Sequence, residues 1–248
     1  MKTKFLIACL LAIVAVATAQ SVKSKAEGEA VNAMLQATSP DAKIDAVEKL
    51  LAKFKDTQYK SIALGQAADA YGRKSDSVNA IIWGQRAIDA DPKNYSALLL
   101  VSGQLAQTTG ENDLDKDEKI KRGSKLANDA IAVLNTAPKP NPNLPDDQWT
   151  GIKKDFVSQA HETLGVFANV DKKYDVAIAE MKMAVDGPAT PEASTMVRLA
   201  NIYNNASKFD ESMMMSDKVL AMAGTPDAVK KFAQNEKARA EKGKSGKK

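Results

Sequence analysis

Cysteine is all but missing from this chain of 248 residues: Cys9 is the only one, and it stands inside an apolar N-terminal stretch. Once that stretch is removed, no disulfide, thiolate metal site or cysteine nucleophile can be assembled from the rest. Histidine is as scarce, with His161 alone, which leaves no histidine-based zinc site and no ordinary acid–base dyad. Aromatic residues make up 5%, too few for a compact β-rich core. There is no glycine-rich phosphate loop and no G-x-S-x-G nucleophile elbow. Beyond the N-terminus, no apolar run approaches the roughly 20 residues that a membrane-spanning helix needs. No catalytic residue, metal or cofactor is therefore expected.

Alanine is what the chain has in quantity, within a composition that is 44% hydrophobic and 27% charged. Small side chains let helices approach closely, so the composition leans helical. The formal charge of +4 falls to +2 without Lys2 and Lys4. Residues 227–248 carry eight basic and three acidic side chains, or +5, so residues 20–226 sum to −3. A mildly acidic body with a basic tail lacks the global positive charge of a nucleic-acid binder.

The first residues read as an export signal. Lys2 and Lys4 give a basic start, Phe5 to Val16 is apolar, and Ala17-Thr18-Ala19 is the small-x-small pattern before a cleavage point. Residues 1–19 are expected to be removed before Gln20, sending the protein to the periplasm or outside the cell. Leu6-Ile7-Ala8-Cys9 looks superficially like a lipobox, but the apolar run continues well past Cys9.

Helical periodicity is clearest from Ser61 to Asn94. Leu64, Ala67, Ala68 and Tyr71 fall on one helical face; Ala80, Trp83, Ala87 and Ile88 form a second, closed by Asp91-Pro92. Weaker copies start at Glu27 and Tyr95, so that starts at 27, 61 and 95 are 34 apart. Further copies start at Ser158, with Leu164-Gly165, Tyr174, Ala177, Met181 and Ala184, and near Ala193, with Leu199-Ala200, Tyr203, Phe209, Ser212 and Val219. Residues Gly110 to Arg122 read as an insertion. The prolines from Pro138 to Pro145 favour extended geometry, hence a semi-rigid spacer. After it, Thr225 is placed to cap a last helix beginning at Pro226.

In its period and at most signature places the chain resembles the tetratricopeptide repeat (TPR) family, of an exported bacterial type. Ala68, Tyr71, Ala80, Ala87 and Pro92 match the family pattern. Gly84 stands where a large residue is usual, and Ala168 where an aromatic is expected. The resemblance implies an all-α, right-handed solenoid of antiparallel helix pairs, about five repeats plus a C-terminal capping helix. Its divisions are a signal at 1–19, repeats at 20–136, a proline-rich spacer at 137–146, repeats and cap at 147–242, and a disordered basic tail at 243–248.

In that family the first helices line a concave groove, which implies a non-catalytic adaptor or assembly scaffold for a protein or peptide. By helical phase the groove would present Gln66, Asp69, Arg73, Gln159, Glu162, Thr163, Arg198, Asn201 and Asn205. The family's carboxylate clamp of lysines and asparagines is not reproduced, so chaperone-tail binding is not implied. A second reading is a structural protein of the envelope, held to anionic polymer or lipid by its basic tail; peripheral membrane contact fits it and nucleic acid does not. Other signals read as structure. His161 lies on a packed face beside Leu164. The alternate acids from Asp113 to Asp117 lack the glycine and terminal glutamate of a calcium loop, since Glu118 and Ser124 stand there. Met213-Met214-Met215 fits ordinary packing, and Asn94-Tyr95-Ser96 and Asn205-Ala206-Ser207 are formal glycosylation sequons.

Overall fold

The computed structural model describes residues 22–246. The export signal, its cleavage site before Gln20, and Lys247-Lys248 lie outside the described residues. Those residues form eleven helices and no strand. They are α1 Lys25–Gln36, α2 Pro40–Lys53, α3 Lys60–Arg73, α4 Ser77–Ala90, α5 Tyr95–Gln107, α6 Lys116–Thr136, α7 Asp146–Val170, α8 Tyr174–Asp186, α9 Ala193–Asn205, α10 Phe209–Ala221 and α11 Asp227–Ser245. The fold is thus the expected all-α series of helix pairs with a last single helix.

The helix starts follow from capping chemistry. Ser24, Ser39, Asp76 and Asn94 each accept a backbone N–H three residues on, and Pro40 takes the first position of α2, where its missing N–H costs nothing. The first helix of a pair ends the same way three times. Asp76 N–H donates to Tyr71 O and Ser75 N–H to Gly72 O; Lys173 and Lys172 do the same to Ala168 and Asn169, and Lys208 and Ser207 to Tyr203 and Asn204. This is the Schellman arrangement. It puts Ser75, Lys172 and Ser207 at φ of 63°, 58° and 58°, a region where glycine is the usual occupant.

Two compact units divide the described chain. Unit 1 comprises the residues up to Thr108 with Asp129–Thr150, and unit 2 comprises Thr109–Asn128 with the residues from Gly151 on. In unit 1, α1 and α2 close over Val31, Met34, Val47 and Leu50, joined by Tyr59, Ala63 and Ala67 of the next pair. Tyr71 and Trp83 face each other at 6.0 Å, with the Arg86 guanidinium 4.3 Å from the Trp83 ring. At Gly84 a Cβ would stand 2.4 Å from Val101 Cγ2, so the glycine lets α5 come close to α4. In unit 2, Met181, Ala184, Leu199, Ala200, Tyr203, Val219 and Ala233 share one core, linking α8 to α11. Gly165 meets α8 backbone, as its place in the sequence predicts: a Cβ there would lie 3.3 Å from Ala177 O and from Met181 N.

Several boundaries differ from expectation. The insertion is shorter, because Lys116 to Arg122 already belong to α6. The copy placed from Ser158 begins its helix at Asp146. Residues 137–146 read as a spacer in the sequence. The segment 137–145 precedes α7. It belongs wholly to unit 1 and contains a turn, closed by Leu144 N–H donating to Asn141 O, while the unit division falls inside α6 and α7. Thr225 does not cap α11; its hydroxyl donates back to Met222 O, and the helix starts at Asp227. α11 runs to Ser245, with Lys244 on Asp210 at 2.5 Å and Gly243 fitted against the Phe209 ring.

Candidate functional site

The expected groove residues come from the first helices of successive pairs: α3 in unit 1, and α7 and α9 in unit 2. In unit 1, α3 is packed by α2, α4 and α5. That contact covers more of α3 than one apolar stripe, and Gln66 is left 9% exposed. Asp69 is half-buried and Arg73 exposed, with a weak 3.4 Å bond to Thr38 O. Periodicity did not reveal Lys43, a buried lysine of α2 that completes this cluster. Its ammonium donates to Met34 O at 2.6 Å and Leu35 O at 3.2 Å, meeting carbonyls that α1 leaves open at its end. Burial pushes the Asp69 pKa above the usual carboxylate value, against the pull of Arg73 and Lys43. Burial likewise lowers the Lys43 pKa, with Asp69 acting to raise it.

In unit 2 the expected residues form a ladder between neighbouring helices. Arg198 pairs with Glu162 of α7, whose other oxygen accepts from Thr195 at 3.2 Å. Asn205 donates to Asn169 at 2.9 Å and, more weakly, to Asn201 at 3.3 Å. Asn201 donates to Glu236 of α11 at 2.9 Å, and Arg239 donates to Asn205 at 2.7 Å. Asn204 adds bonds of 2.8 Å to the Glu236 carboxylate and carbonyl. Apart from the Asn205–Asn201 bond within α9, partners stand 32 to 36 residues apart, about one repeat period, so the ladder joins equivalent faces of α7, α9 and α11. Gln159 is half-buried, its carbonyl accepting the Thr163 hydroxyl at 3.1 Å. Thr163 itself is 6% exposed, which takes it off the open face.

Sequence reading missed Asn169, Thr195, Glu236 and Arg239. Adding the 34-residue period to Asn205 would have pointed to Arg239, and adding it to Asn201 would have stopped one residue short of Glu236. The remaining signals resolve into structure. His161 Nδ1 lies 2.7 Å from Glu180 Oε2 of α8. Asp113 and Asp115 bind Lys119 at 3.2 and 2.9 Å, and Asp113 also accepts the Gly110 N–H. No group of three or more His, Cys, Asp or Glu able to hold a metal occurs among the described residues. Of the three methionines, Met215 is buried and Met214 exposed. The amide nitrogens of both sequons are engaged, Asn94 with Ser61 and Asn205 within the ladder. No helix among the described residues is long and apolar enough to cross a membrane.

No family model matches the sequence, and no curated protein matches it. Among solved structures it is similar to TTC0263, a thermophilic TPR protein of Thermus thermophilus. The two are 17% identical, with a TM-score of 0.56, over 79% of this chain and 90% of that one. A looser likeness, at 12% identity and a TM-score of 0.40, is to the assembly chaperone of RpL4, Acl4, over 84% of this chain and 94% of that one. The first likeness bears on the fold alone and agrees with the tetratricopeptide-like pairing of helices; the second carries no argument.

Proposed function

We propose that this chain is a non-catalytic scaffold that binds a protein or peptide segment along the open faces of its first helices, in the cell envelope after export. The observation that carries the reading is the in-register row of polar side chains on α7, α9 and α11. Half-exposed asparagines and arginines held at one-period spacing offer donors and acceptors at regular intervals, the pattern an extended segment presents. Each internal bond can be exchanged for one to the ligand, so little desolvation is left uncompensated. Within unit 1, taken by itself, Asp69 and Arg73 offer polar groups of the same kind.

A photo-crosslinking amino acid at Arg73 or Arg198 tests this in living cells, with Val78, exposed on the second helix α4, as control. Discrete protein adducts are expected from the first two positions and none from the third. Adducts only from Val78 would place binding on the opposite faces and end the groove reading. One observation favours the second reading, attachment to an anionic surface: the outward stripe of α11 from Lys231 to Lys242 carries no carboxylate.

A further inference from the structure

Part of the basic C-terminal charge is engaged within the fold. Lys237 and Lys244 are held by Asp217 at 2.7 Å and Asp210 at 2.5 Å, both on α10. Arg239 leans on Asn205 and Glu236, at 2.7 and 3.6 Å. Of the helix's acids, Glu236 turns inward to Asn201 and Asn204, and Glu241 lies on the flank of Lys237. The outward face is left with Lys231, Phe232, Asn235, Ala238, Arg239 and Lys242, spaced as one helical stripe and open to solvent in whole or in part. Asp227 stands a turn earlier, at the helix start. Phe232 is 62% exposed, the only aromatic among the large hydrophobic side chains that the described residues leave open.

We infer that this stripe is a docking surface for an anionic lipid bilayer, entered by the Phe232 ring and held by Lys231, Arg239 and Lys242. The inference rests on the second reading above and commits it to lipid rather than soluble polymer. A hydrated polyanion satisfies the cations but offers nothing to an exposed phenyl ring. A headgroup layer offers both charge and an apolar boundary beneath it. Lys231 and Lys242 make no ion pair among the described residues, so their charge is available at no cost to the fold.

The test is co-sedimentation of the chain beginning at Gln20, which keeps every described residue. Its probes are vesicles of phosphatidylcholine with phosphatidylglycerol, vesicles of phosphatidylcholine alone, and soluble polyphosphate. Binding is expected to the anionic vesicles only, and to weaken as salt is raised. Lys231→Gln and Lys242→Gln should each lower partitioning about fivefold. Phe232→Ala should lower it about tenfold, with helical circular dichroism unchanged in all three. Equal binding to neutral vesicles, or full binding by Phe232→Ala, overturns the inference. Binding to polyphosphate but not to vesicles also overturns it, while leaving the second reading standing. Binding to none of the three overturns both and leaves the groove reading untouched.

Discussion

The Lys43 ammonium and the Asp69 carboxylate are charges that the fold takes from water, and their linkage to pH has a definite sign. Burial raises the pKa of Asp69, so the folded state holds its proton more tightly than the unfolded chain does. Its stabilising contribution is complete below the unfolded value and is lost as pH rises through the folded one. Lys43 is depressed, so its contribution is complete above the unfolded value and is lost as pH falls through the folded one. At neutral pH both charges are therefore held against the preference of their surroundings. Asp69→Asn should gain thermal stability relative to wild type as pH rises from the acid range to neutrality. A difference that stays flat with pH would show that burial does not govern Asp69. Lys43→Met tests the carbonyls that the ammonium meets. Leaving Met34 O and Leu35 O unmet should cost roughly 1–3 kcal/mol in urea unfolding, despite the gain in apolar surface.

At the scale of elements, spacing and turn geometry decide what substitutions do. Gly165→Leu should destabilise by about 1–3 kcal/mol through overpacking, because Ala177 O and Met181 N leave no room for a side chain. An unchanged midpoint in urea would contradict that close approach. Ser207 holds a left-handed backbone at φ 58°. Relief of roughly 1–2 kcal/mol from that strain exceeds the 0.5–1 kcal/mol that glycine's flexibility costs, so Ser207→Gly should be neutral to slightly stabilising. Ser207→Val should lower stability clearly, since a branched Cβ is least tolerated there. The pairs from Ser61 to Asn94 and from Tyr174 to Val219 were legible because apolar side chains mark a packed face residue by residue. The start of α6 was not, because Lys116–Arg122 carries Ile120 as its one apolar residue. The start of α7 did carry the marks, with Trp149, Ile152 and Phe156 on one face, directly after the prolines that precede it. The ladder was half legible. Helical phase set Arg198, Asn201 and Asn205 on one face, but their partners are matters of side-chain reach between helices, which no single-helix pattern records. Gln66 and Thr163 are more buried than helical phase implies for a related reason: a helix packed by several neighbours buries more of its circumference than its apolar stripe suggests.

For the whole molecule, the export reading makes a simple prediction. Mass spectrometry of the protein recovered from the envelope should find Gln20 as the first residue, free or cyclised, whereas an intact Met1 or a lipidated Cys9 would reverse it. The turns at Ser75, Lys172 and Ser207 bear on how such a chain ages. Each is closed by main-chain donors and acceptors, and the occupants are two serines and a lysine rather than the customary glycine. A joint built from peptide groups survives exchange among glycine and unbranched side chains at a modest energetic penalty. Lineages can therefore rewrite the letters of a repeat while the angle between its helices is inherited, and in proteins of this kind shape should outlast spelling as a record of descent.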